Sequence, residues 1–322
     1  MNIHLMPARS VFILFLFLLL SARGSGQIDG LRAMEHIKQQ CRFGPRIPGT
    51  KAHLSCRDWI AGQLEKLDLK VRIEPLEVTL PCTGNRTTAF NIWGTCKNDR
   101  PASPTLMISA HWDTRPFADR DPNTTRRRET LAGANDGASG VALALELFNG
   151  LKQSPFSDNI VLVFWDVEDA GNYKDPRSWA LGSAHAAGQP PDWINQVVLG
   201  INLDMVAGRD LYLAREKFSM DSAPDIVRDI WTLGGTLAPN LFDPDNIRQV
   251  QDDHVPWINA GIPYVDIIGI PYRHWHTTRD TPANCSSEIL EGVGNVLLNY
   301  VLYGDWPRWS RQSGLREGSG EQ

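Results

Sequence analysis

The stretch Ile160-Val161-Leu162-Val163-Phe164-Trp165-Asp166-Val167-Glu168-Asp169 decides the fold. An unbroken apolar run, rich in β-branched residues, stops abruptly on three carboxylates. A run that short and that uniformly apolar reads as a strand covered on both faces, and such strands belong to parallel sheets flanked by helices. Three more runs behave alike. Leu106 to Ala110 stops at His111 and Asp113, and Val197 to Leu203 stops at Asp204. Ile262 to Ile268, which carries Asp266, leads through a short loop to Trp275-His276. Ligands of open α/β sheets gather outside the carboxyl ends of the strands. Four polar endings on one edge therefore predict a site for a metal or for proton transfer.

The connecting segments fit the same scheme. Ile28 to Leu67 reads as helix, broken by the turn cluster Gly44-Pro45-Arg46-Ile47-Pro48-Gly49. Val71 to Leu80 alternates apolar and polar, as a strand near a sheet edge would. Arg115 to Thr130 makes a long polar loop, the kind that in a compact domain usually serves a function. Gly133-Ala134-Asn135-Asp136-Gly137 then precedes a helical pattern from Val141 to Leu151, which places Asp136 just ahead of a helix. The expected architecture is a three-layer α/β sandwich, with a central, mostly parallel (mixed) twisted sheet between layers of helices.

At 322 residues with a net charge of -5, the chain has the length of one large α/β domain and no basic stripe for nucleic acid. Arg126-Arg127-Arg128 reads as a solvated turn. Residues 1–26 read as a secretory signal peptide: Arg9, the apolar stretch Val11 to Leu20, then small residues. The apolar stretch is too short for a stable membrane anchor. Residues 27–308 are then expected to form one catalytic domain, with a polar tail from Trp306 onward that is fully tail-like over 309–322. Export would make the five cysteines candidates for disulfides, Cys82 with Cys96 and Cys41 with Cys56, although connectivity is not readable from sequence. Asn85, Asn123 and Asn284 sit in glycosylation sequons, which matter only in a host that glycosylates.

Asp136, Asp169 and His276 offer two carboxylates and one imidazole, a donor set that suits zinc and leaves a position for substrate. Glu168 beside Asp169 is placed to act as general acid and base. His111 and Asp204 stand ready either for a second metal or as support around the first.

His111-Trp112-Asp113, Ala134 to Gly140, Asp166 to Asp169, Asn202 to Met205 and the late histidine together resemble the zinc aminopeptidase superfamily. Asp252-Asp253-His254-Val255-Pro256-Trp257 and Trp275-His276-Thr277-Thr278-Arg279-Asp280 resemble, more narrowly, the bacterial-type glutaminyl cyclases. That resemblance spans about Met34 to Leu302. It implies one zinc per chain on Asp136, Asp169 and His276, Glu168 as proton shuttle and Asp252 as a supporting carboxylate. It also implies Asp204 near the metal and Trp275 as a wall of the glutamine pocket. The implied reaction turns the N-terminal glutamine of peptides and proteins into pyroglutamate with release of ammonia, in a secreted enzyme expected to act as a monomer. Two positions depart from the animal enzymes: Asp169 stands where glutamate is usual, and Asp266 where a histidine is usual, which points to a relay of carboxylates. His274 is a second histidine within reach, but the Trp-His-Thr context favours His276. The rival reading is a secreted two-zinc aminopeptidase using His111 and Asp204 for the second metal. A non-catalytic binding module on the same scaffold is a further alternative.

Overall fold

The computed structural model describes residues 26–96 and 100–307. Two helices, α1 (Gly30–Phe43) and α2 (Lys51–Lys66), lead into a hairpin of β1 (Lys70–Thr79) and β2 (Arg86–Thr95). There follow β3 (Thr105–His111), α3 (Ala138–Leu151), β4 (Ile160–Trp165), α4 (Leu181–Gly188) and β5 (Val197–Asp204). The chain continues through β6 (Leu213–Glu216), α5 (Lys217–Ser222), α6 (Pro224–Leu237), β7 (Phe242–Arg248), α7 (His254–Asn259), β8 (Tyr264–Ile268) and α8 (Ser287–Tyr303). The main sheet has the order β1-β2-β4-β3-β5-β8. Its four apolar strands β4, β3, β5 and β8 are parallel, and the β1–β2 hairpin is antiparallel and joins β4 antiparallel. The three-layer mixed sandwich expected from the sequence is the fold.

Alternation along the strands sorts side chains to two faces. Leu106, Ile108, Ala110, Leu162, Phe164, Leu199, Ile201 and Leu203 join the core under α1, α2, α3, α6 and α8. Met107, Val161, Val163, Trp165 and Tyr264 join the opposite core with Trp93, Trp193 and Trp257. α3 is buried over most of its surface. It lies so close to β5 that a Cβ at Gly140 would collide with the carbonyl of Leu203. That close approach is the reason the first turn of α3 carries glycine.

Several expectations change. No disulfide joins Cys82 to Cys96 or Cys41 to Cys56, and all five cysteines are free thiols. Cys82 sits in the turn at one end of the β1–β2 hairpin and Cys96 just past the other end. A ten-residue strand separates them, about 33 Å at the usual rise per residue, against the ~7 Å limit for bridging Cα atoms. Cys41 instead directs its thiol at the carbonyl of Ala132. Trp306 is not the start of a tail: it is fully buried, donates from Nε1 to the carbonyl of Val301 at 2.8 Å and meets Phe156 edge to face. Strand β2 and the small parallel sheet of β6 and β7 add elements that the apolar runs did not announce. The expected signal peptide, Gly26 apart, and residues 309–322 lie outside the described residues. Among the described residues no helix is long and apolar enough to cross a membrane.

Candidate active site

The order β4-β3-β5 places consecutive crossovers on opposite sides of β3, and a crevice opens at the carboxyl end of the sheet where the winding reverses. His111 ends β3 and Asp204 ends β5. Glu168 and Asp169 follow β4, Asp136 directly precedes the α3 segment, and His276 lies in the loop after β8. Three non-glycine residues here adopt left-handed backbone: Val167 before Glu168, Met205 after Asp204, and His276 itself. Such conformations cost about 1–3 kcal/mol each, and for a β-branched residue like Val167 they are rare. Strain gathered at one edge of a sheet belongs to a functional site.

The side chains converge as two groups that share Asp136. Asp136, Asp169 and His276 form one, and His111, Asp136 and Asp204 the other. Nε2 of His276 lies 2.8 Å from Oδ1 of Asp169 and 3.4 Å from Oδ2 of Asp136. Nε2 of His111 lies 3.1 Å from Oδ1 of both Asp136 and Asp204. All are buried, and Asp136 Oδ2 and Asp169 Oδ1 make no hydrogen bond. Buried carboxylate oxygens without a donor, facing an imidazole nitrogen, fit a zinc ion bound by two oxygens and one nitrogen. The charges agree. Burial alone would raise the Asp136 carboxyl, but His111 and His276 hold it well below its usual range. Burial alone would lower His276, but Asp169 and Asp136 lift it to about 9.

Backbone amides and second carboxylates hold this group in place. Asp113 accepts from the N–H of Glu168 at 3.1 Å and of Asp169 at 3.2 Å. Asp280 does the same for Asn135 at 2.9 Å and Asp136 at 3.1 Å, and also accepts from the Tyr272 hydroxyl. Oδ2 of Asp169 accepts from the N–H of Arg115 at 2.8 Å. Gly137 passes so near His111 that a Cβ there would lie 2.6 Å from the imidazole. His276 is oriented from behind: its Nδ1 is 2.5 Å from the Tyr173 hydroxyl, which donates to Asp119 at 3.1 Å. Trp179 stacks parallel to the His276 ring at 6.0 Å between centroids.

A cavity of about 260 Å³ opens over the group, lined by Glu168, Asp252, Trp179, Trp275 and Tyr173 among others. Among the described residues no hydrogen bond is made by the Glu168 carboxylate, and burial, with Asp252, Asp169 and Asp253 adding to it against His111, pushes it well above the ordinary range. Beneath the floor, Nδ2 of Asn202 donates to Asp252 at 3.1 Å and to Asp266 at 3.2 Å. Asp266 lies 3.6 Å from Nδ1 of His254, whose Nε2 is 3.0 Å from Glu216. The carboxylates Asp252 and Asp266 are thus joined through an amide rather than directly.

All nine residues singled out from the sequence fall here: Asp136, Asp169, His276, Glu168, Asp252, Trp275, Asp204 and His111 meet at the cavity or the groups beneath it, and Asp266 lies further in, joined to Asp252 through Asn202. His274 stays apart, paired edge to face with Tyr272. Sequence reasoning passed over Tyr173, Trp179, Asp119, Asn202 and Asp280. Two of these carried a sequence signal: Asn202 opens the motif Asn202 to Met205, and Asp280 follows His276 by four residues, where a carboxylate near a candidate metal-binding histidine is a frequent supporting group.

A sequence model described as Peptidase family M28 matches residues 91–301. The glutaminyl-peptide cyclotransferase of the snake Boiga dendrophila is 25% identical over 289 residues, covering 80% of this chain and 77% of its own. Among solved structures, the glutaminyl cyclase of Porphyromonas gingivalis superposes with a TM-score of 0.80 at 33% identity, over 86% of this chain and 99% of its own. A leucine aminopeptidase precursor of Bacteroides thetaiotaomicron superposes with a TM-score of 0.81 at 32% identity, over 88% and 99%.

Proposed function

The chain belongs to peptidase family M28, and from that premise we propose that it is a glutaminyl-peptide cyclotransferase. The observation that carries this reading is one cavity in which a zinc-fitting group, Glu168, Asp252 and the Trp275 wall all meet. One zinc ion, held by Asp136, Asp169 and His276, would supply a Lewis acid for the side-chain amide carbonyl of an N-terminal glutamine. The acidic floor draws in the α-amine. Glu168 takes a proton from it as the amine nitrogen bonds to the side-chain carbonyl carbon, and delivers a proton to the amide nitrogen as that C–N bond breaks. Ammonia and a pyroglutamyl peptide leave. Both reacting groups belong to one residue, so the pocket's task is to fold them together and keep water out. Asp252, fixed by Asn202, orients the amine or the departing nitrogen, and Asp266 buttresses Asn202.

We assign His111 and Asp204 to support of Asp136 rather than to a second metal. Asp113 at 3.4 Å from its other ring nitrogen leaves His111 shared among three carboxylates. The two-zinc aminopeptidase reading rests on that same group and on the resemblance to the leucine aminopeptidase precursor. In the cyclase reading the protein is secreted after removal of residues 1–26 and works as a monomer. Incubating it with a Gln-initiated peptide tests both readings: ammonia and a blocked peptide of unchanged length are expected. A free amino acid with a shortened peptide, together with two zinc ions per chain, would establish the peptidase instead.

A further inference from the structure

The rim of the cavity carries a cation that neither the metal group nor the proton shuttle uses. Arg120 is exposed, and its guanidinium lies 4.3 Å over the Tyr173 ring and 5.3 Å over the Trp275 ring, two residues that line the cavity. Its backbone N–H donates to the carbonyl of His276 at 3.1 Å, which ties its main chain to the site. Among the described residues Arg120 forms none of the ion pairs. The nearby acids are engaged elsewhere: Asp119 with Arg115 at 2.7 Å, and Asp175 with Arg177 at 3.3 Å. Lys174 and Arg248 are exposed and adjoin the lining residues Tyr173 and Gln249 along the chain.

The cavity is therefore polarised, with carboxylates on its floor and the Arg120 cation at its rim. For a substrate whose N-terminal residue reaches the floor and whose chain leaves past Trp275 and Tyr173, the second residue lies one residue step away, about 3.5 Å. A guanidinium stacked on two rings and facing the Tyr173 hydroxyl still has N–H donors to spare, in the planar fork that matches a carboxylate. We propose that Arg120 is a specificity-determining residue that selects substrates bearing a carboxylate directly after the N-terminal glutamine, supplied by an acidic second side chain. This rests on the cyclase reading given above.

The test measures kcat/KM for amidated peptides beginning Gln-Glu, Gln-Ala and Gln-Lys, and for the dipeptide Gln-Ala as free acid, in the wild type, Arg120→Glu and Arg120→Lys. An exposed ion pair changes rates modestly, so Gln-Glu is expected to exceed Gln-Lys by about threefold to tenfold at low salt, mainly through KM, with the ratio shrinking as salt rises. Arg120→Glu should invert the ratio and Arg120→Lys retain most of it. A merely structural role would lower all rates together and leave the ratio unmoved, which would overturn the proposal. Preference for the free-acid dipeptide over Gln-Glu would overturn the side-chain assignment in favour of a terminal carboxylate. Absence of cyclisation with every peptide would refute the cyclase reading itself.

Discussion

Replacing Tyr173 with phenylalanine removes a single oxygen and leaves the ring between its neighbours. The guanidinium groups of Arg115 and Arg120 lie 4.7 Å and 4.3 Å from that ring, and Trp179 and Trp275 adjoin it, so packing should survive. What disappears is a chain of protons. The Tyr173 hydroxyl donates to Asp119, so its oxygen is free to accept from Nδ1 of His276, and that assignment leaves Nε2 as the nitrogen facing Asp136 and Asp169. Losing a partner of this kind typically weakens metal affinity about 10- to 100-fold, equivalent to about 1.4–2.7 kcal/mol. Competition between metal-stripped protein and a chromogenic chelator at fixed pH measures the zinc Kd directly, without any turnover. Tyr173→Phe is expected to raise that Kd at least tenfold with the melting temperature of the metal-free protein nearly unchanged. A Kd within twofold of wild type would refute the reasoning, and if activity fell nonetheless the hydroxyl would have to act on substrate.

Other expectations follow from the same geometry. Glu168→Gln should abolish cyclisation while zinc content, read by elemental analysis, stays at the wild-type level; loss of zinc would exchange the roles of Glu168 and Asp169. Gly137→Ala places a Cβ 2.6 Å from His111 and 2.7 Å from that residue's carbonyl oxygen, an overlap expected to destabilise by about 1–3 kcal/mol and visible as a lowered urea midpoint. Glu146, buried at the junction of α1 and α3, would be raised by burial alone, but His36 and Arg32 hold it below its usual value, Arg32 through two hydrogen bonds of 2.6 Å. A depressed carboxylate contributes stability above its unfolded pKa of about 4.3 and loses it as pH falls through the folded value. The stability difference between wild type and Glu146→Gln should therefore be largest near neutrality and shrink below about pH 4.3; a difference independent of pH would refute the pairing.

The sequence disclosed the strands whose two faces are both covered, because uniform burial forces uniform apolarity. β3, β4, β5 and β8 were legible for that reason, and so were the polar residues at which they stop. β2 was not, since it opens on Arg86-Thr87-Thr88 and its pairing with β1 depends on a turn around Gly84 rather than on a pattern of its own. The residues of the candidate metal group were legible by type and order, whereas the ring around them was not. Tyr173 reaches His276 across 103 positions and Asn202 joins Asp252 to Asp266 across 50 and 64. A loop tyrosine has no period and no motif, an asparagine inside a motif does not announce its partners, and only the folded chain shows what each touches. The misread cysteines have the same origin, because spacing along the chain says nothing of the strand standing between Cys82 and Cys96.

Asp113 and Asp280 each grip two successive backbone amides of a loop that carries a candidate metal-binding carboxylate. Main-chain anchoring of this sort does not depend on which side chains the loop displays toward the mouth. The loops beneath the cavity are thereby held through their main chain. Sequence drift at exposed positions such as Arg120, Lys174 and Gln249 can then retune which peptides are accepted while the chemistry beneath is untouched. An enzyme built this way is open to redesign from the outside in, by altering its entrance and leaving its interior alone.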